Sequence, residues 1–71
     1  MDKYLIILTA PSMHFMDEDD NYIEPYILSF KKGTSLDRVG EYVDEVLTRK
    51  FCWQYSVFLS DVRILAAAKI K

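Results

Sequence analysis

Residues 3–9 read KYLIILT. Apolar side chains run through this segment almost without a break. It therefore predicts a strand covered or half covered on both faces, which belongs in the middle of a sheet. Ala10-Pro11-Ser12 ends it, because proline brings no N–H to a ladder. Residues 22–31, YIEPYILSFK, predict a second strand, clearest after Pro25. Tyr26, Leu28 and Phe30 alternate with Ile27, Ser29 and Lys31, giving one apolar and one mixed face. Pro25 suits an edge strand or the start of one. With roughly ten residues between them, the two strands form most simply an antiparallel pair with a long loop.

The period then changes. Lys31-Lys32-Gly33 reads as a turn, and Thr34 to Asp37 as a capping box with Thr34 accepting at the helix start. Leu36, Val39, Val43, Val46, Leu47 and Phe51 recur at threes and fours, which predicts an amphipathic helix over 35–50. Arg49 and Lys50 suit its negative end. Gly40 costs about 1 kcal/mol against alanine in a helix, so a close approach to the sheet is its expected compensation.

Residues 53–59, WQYSVFL, predict a third strand. Tyr55, Val57 and Leu59 share one parity, while Val62 and Ile64 take the other. A bulge at 60–61 lets the strand run on to about 67. Alternatively Ser60 caps a short helix through ILAAAK, so 61–70 is either strand continuation or helix.

The order β-β-α-β makes one small α+β domain spanning 1–71. Its three-stranded, mainly antiparallel sheet has the order 2-1-3, with one helix packed on one face. The helix joins two parallel outer strands. The other face stays partly bare and, beneath so apolar a first strand, sticky, which makes it an interface or homodimer surface.

Composition narrows the class. Half the chain is hydrophobic (51%) and 14% aromatic, too apolar for a disordered segment. Ten aromatics are generous for so small a core, which points some of them at an interface. Cys52 is the sole cysteine, so no internal disulfide staples the fold and a reducing compartment fits. No stretch is long and apolar enough to span a bilayer, and no signal-peptide pattern opens the chain. Starting at Met1, it reads as a complete cytoplasmic gene product.

No chemical motif emerges. Asp17, Asp19 and Asn21 imitate the first ligands of a calcium loop, but Tyr22 stands where glycine is needed and Leu28 where the bidentate glutamate belongs. Adjacent acids in a polar loop are solvated rather than catalytic. Cys52 and His14 lack the orienting third group a thiolate nucleophile needs, and Phe51 and Trp53 give the thiol an apolar, inert setting. With a pI near 5.2 and no basic stripe, direct nucleic-acid binding is not expected. The sequence thus predicts no catalytic residue, no metal and no cofactor.

What remains is charge layout. The loop acids Asp17, Glu18, Asp19 and Asp20, with Glu24, join Asp37, Glu41, Asp44 and Glu45 on the helix, so nine of eleven acids occupy two elements. Asp37, Glu41 and Glu45 are spaced i, i+4, i+8 along one side, and the Glu45–Arg49 pair offsets only one end. Bases gather elsewhere, at Lys31, Lys32, Arg63, Lys69 and Lys71. Solubility is the plainer explanation. The functional one is an acidic patch that docks on a basic, nucleic-acid-handling protein, with Phe15, Tyr22, Tyr26 or Trp53 as apolar anchors. Two roles are expected: a small inhibitor or modulator, as many phage-encoded proteins are, or a self-associating structural protein whose acids only keep it soluble.

Overall fold

A computed structural model describes residues 1–11 and 21–70. The loop holding His14, Phe15 and Asp17–Asp20 lies outside the described residues. Strands β1 (Asp2–Pro11), β2 (Asn21–Phe30) and β3 (Arg63–Lys69) form one antiparallel sheet in the order β2-β1-β3. Between β2 and β3, Leu36–Tyr42, Val43–Leu47 and Thr48–Tyr55 run on as a single helix, α1, whose middle segment is a π turn. The predicted α+β architecture and strand order are those observed, and the C-terminus is a strand.

The strand periodicity decides what is buried. Tyr4, Ile6, Leu8 and Ala10 of β1 point at α1 and are buried, while Leu5, Ile7 and Thr9 face the other way and are half-buried. On β2 the helix-facing set is Tyr22, Glu24, Tyr26, Leu28 and Phe30. Pro25 sits on the outer strand, as expected. Ile70 N–H donates to Lys3 C=O, which fixes the phase of the ladder. In that phase the odd-numbered residues of β1 bond β3 and the even ones bond β2. Pro25, opposite Ile7, thus has its nitrogen on the solvent side, where no donor is required.

The helix starts one residue later than the capping box predicts. Ser35, not Thr34, is the cap: its Oγ accepts from Arg38 N–H at 3.3 Å. Thr34 instead donates its hydroxyl to Lys31 C=O and closes the preceding turn, where Gly33 takes a φ of 89°. Asp2 accepts from Gly33 N–H at 3.3 Å and pairs with Lys69 at 3.6 Å, tying that turn to β3.

The helix also runs farther than predicted, and residues 53–55 belong to it, not to a third strand. The cause is a row of sheet-facing residues four apart: Val39, Val43, Leu47, Phe51 and Tyr55. In a regular α-helix such a row drifts by about 40° per step. The π turn at Val43–Leu47 is wider and winds the row back over the sheet. Leu36 and Val46, predicted to share the stripe, stay exposed because they fall off this row. The helix ends where Ser56 turns left-handed (φ 56°) and Val57 N–H reaches Cys52 C=O at 3.2 Å.

Residues 59–61 form a 3-10 turn, so Ser60 neither bulges a strand nor caps a helix. The bulge is at Leu65: Ile7 pairs with Ala66 and Leu8 with Ile64, leaving Leu65 as the extra residue. Gly40 corrects another expectation. A Cβ built there meets nothing within 4 Å, so no close approach to the sheet explains it.

Candidate functional site

Aromatic contacts hold the helix over only part of the sheet. Tyr22 stacks on Tyr55 at 4.6 Å, and Tyr55 leans on Phe51 at 4.8 Å. At the other end Phe30 meets Tyr4 at 5.9 Å and Tyr42 at 5.6 Å, both edge-on. Both sets draw α1 toward β2 and β1. On the helix-facing side, β3 offers only Ile64, Ala67 and Lys69. A groove of about 340 Å³ therefore lies open between α1 and β3, lined by Tyr4, Ile6, Leu36, Val43, Ile64 and Ala67 among others. It is mainly apolar and open to solvent, and among the described residues Asp44 and Lys69 are the charged groups in its lining.

The outer side of α1 carries a second row, offset by two residues from the buried one. Asp37, Glu41, Glu45, Arg49 and Trp53 are all exposed along it. The spacing of four that keeps the core row on the sheet keeps this row on the ridge. Its three carboxylates have no ion-pair partner among the described residues; the expected Glu45–Arg49 pair does not close, and the single ion pair found there is Lys69–Asp2. Trp53 ends the ridge with 90% of its surface in water.

Glu24 and Tyr22, also predicted for partner binding, stand elsewhere. Both are half-buried on the helix-facing side of β2. Glu24 accepts from the Tyr55 hydroxyl at 2.7 Å. This contact spans 31 residues of sequence, so no local signal announces it. Of the proposed anchors, Tyr26 is also turned inward; its hydroxyl is buried and finds no partner among the described residues. Burial, and then the charge of Glu24, raise the Tyr26 phenol above its ordinary pKa. Asp17, Glu18, Asp19 and Asp20, like His14 and Phe15, lie outside the described residues.

The Tyr55–Glu24 bond sets an alkaline limit. Donating to a carboxylate, with burial and that charge adding, pushes the Tyr55 phenol up to about 12. Between pH 10 and about 12 the unfolded chain loses this proton while the folded chain keeps it. The folded state binds more protons there, so its stability is full below about pH 10 and falls as pH rises. Tyr55→Phe should cost about 1 kcal/mol at neutral pH and flatten that alkaline decline, as read by urea unfolding at several pH values.

Cys52 is half-buried beside the core, and burial raises its thiol pKa, disfavouring the thiolate. Among the described residues no group of three or more His, Cys, Asp or Glu is placed to hold a metal ion, and no helix is long and apolar enough to cross a membrane. The spacing of four announces Asp37, Glu41 and Glu45 on the outer side of the helix, whereas Trp53 falls in the segment that reads as a third strand and joins the row only because the helix runs on to Tyr55. The groove has no sequence signal, since it depends on where the aromatic contacts pull α1. No protein-family model matches the chain, and no curated protein or solved structure matches it either.

Proposed function

We propose that this chain is a small non-enzymatic binding protein that inhibits or modulates a larger protein with a basic surface, docking through the outer ridge of α1. The observation that carries this reading is Trp53, 90% exposed at the end of a row of carboxylates that have no ion-pair partner among the described residues. Tryptophan is among the residues that most often dominate binding energy, because its large apolar body gains much from leaving water. The fold makes little use of this one. Asp37, Glu41 and Glu45 supply what an apolar anchor lacks, long-range attraction and orientation toward a basic partner. Asp37, Glu41 and Glu45 also repel one another at i, i+4, which costs the isolated helix a few tenths of a kcal/mol per pair. Compensation by a partner's cations gives that arrangement a use.

Affinity capture from lysate tests the reading, comparing the natural chain with Trp53→Ala and with the triple variant Asp37→Asn, Glu41→Gln, Glu45→Gln. A defined basic protein should be retained at low ionic strength and released as salt screens the contact. Both variants should reduce its recovery by about tenfold, the loss expected from about 1.4 kcal/mol. The triple variant should be as stable as the natural chain or slightly more so, since like-charge pairs are gone. Recovery indifferent to salt and to both variants would sink the proposal.

A further inference from the structure

We propose that the face of the sheet turned away from α1 is the contact surface for a second copy of this chain, stacked sheet on sheet. This goes beyond the ridge reading and does not depend on it.

The face is apolar from edge to edge. Ile23, Pro25 and Ile27 of β2 flank Leu5 and Ile7 of β1, with Ala66 and Ala68 on the far side. Ile23 is 55% exposed and Ile27 66%. Leu65, the bulge residue, shares a hollow with Ile23 and Thr9 and so adds to the same face. The charged groups on this face, Lys3 and Arg63, stand at its two ends.

Area and relief both favour a second copy as the occupant. With Ile23, Ile27 and Leu65 each more than half exposed, Pro25 and Ala68 exposed, and Leu5, Ile7 and Ala66 half-buried, the face presents on the order of 600 Å² of mainly apolar surface per copy, the upper end for a monomer's largest patch. Two such faces together hide about 1,200 Å², where the range of specific interfaces begins. The relief is uneven, with bulky isoleucines on β2 and small alanines on β3. A two-fold axis lying between the sheets along β1 sets β2 of each copy over β3 of the other. Ile27 and Ala68 both pair with Leu5, so they lie at one level, and Ile27 then rests over Ala68 of the second copy. Bulk meets hollow at this level and where Pro25 lies over Ala66, while at the Thr9 level Ile23 comes over Arg63, whose guanidinium donates to Ser60 C=O at 3.0 Å. The other in-plane axis, across the strands, sets isoleucine on isoleucine. In the favoured arrangement Lys3 approaches its counterpart at the end of the stack, where a flexible stem carries the charge to water. Added salt should therefore hold or tighten this contact, whereas it weakens docking through the acidic ridge.

Sedimentation equilibrium tests the proposal on the full chain. At roughly 200 µM, where a contact of about 10 µM affinity is largely formed, the mass should approach twice the 8.3 kDa of the chain. Ile27→Lys removes the isoleucine that rests over Ala68 of the second copy and sets a charge against that apolar surface, and should weaken association by about tenfold. Because Ile27 is two-thirds exposed, the fold should persist, which far-UV circular dichroism checks. Ala68→Ile should weaken association by about tenfold by crowding Ile27 of the second copy, and adding Ile27→Ala should restore it. A chain that stays monomeric at that concentration overturns the proposal. So does a dimer indifferent to Ile27→Lys, including one lost on Ala67→Pro, which would move the contact to the free edge of β3.

Discussion

Phe51→Ala leaves most of the chain unfolded at 25 °C. Phe51 is fully buried and closes the core between Leu47 and Tyr55 on the sheet-facing row of α1. Its ring lies 4.8 Å from that of Tyr55, which in turn stacks on Tyr22 of β2. Truncation to alanine opens a cavity and removes the core end of this chain of contacts, at a cost of about 3–5 kcal/mol. A domain of this size without disulfide or metal has a total stability of only about 3–5 kcal/mol. Urea unfolding followed by circular dichroism should show the natural chain with a full transition and the variant with little or no folded baseline. A loss under about 1 kcal/mol would mean that the aromatic chain does not hold the helix to the sheet.

Leu8→Ala should cost about 2–5 kcal/mol, and Leu5→Ala, on the same strand, should cost about half as much or less when the chain is monomeric. Leu8 is fully buried beneath α1, while Leu5 points to the other face and is only half-buried. The comparison holds strand, residue type and substitution fixed, so it isolates which face the core occupies. Dilution should keep the Leu5→Ala cost small, and concentrations that favour the sheet-stacked dimer should raise it. Equal costs for the two variants in dilute solution would contradict a one-sided core.

Much of this architecture is legible in the sequence. The unbroken apolar run of β1 marks a central strand, and the alternation after Pro25 gives β2 its faces. The bare sheet face follows from these two patterns and from a single helix. The outer ridge is legible too, because its carboxylates recur every four residues. Residues 53–61 are not. WQYSVFL is rich in β-favouring side chains, and its alternation imitates a strand. Packing prevails there because Tyr55 extends the row begun by Val39, and a left-handed Ser56 ends the helix without the glycine that would announce it. ILAAAK favours helix by local propensity but pairs with β1, so tertiary pairing overrides that preference. The inward turn of Tyr22 and Glu24 follows from the same alternation that turns Tyr26, Leu28 and Phe30 inward. What no local pattern announces is their partner, Tyr55, which lies far along the chain in a segment that reads as a strand.

The emission of Trp53 tests the ridge most directly. It is the chain's single tryptophan, and it stands in water at the end of the acidic row. Titration with the captured partner should shift this emission to the blue at low ionic strength as the indole leaves water, and high salt should return it to the red. A partner that binds while the emission stays unchanged would contradict the ridge as the docking surface.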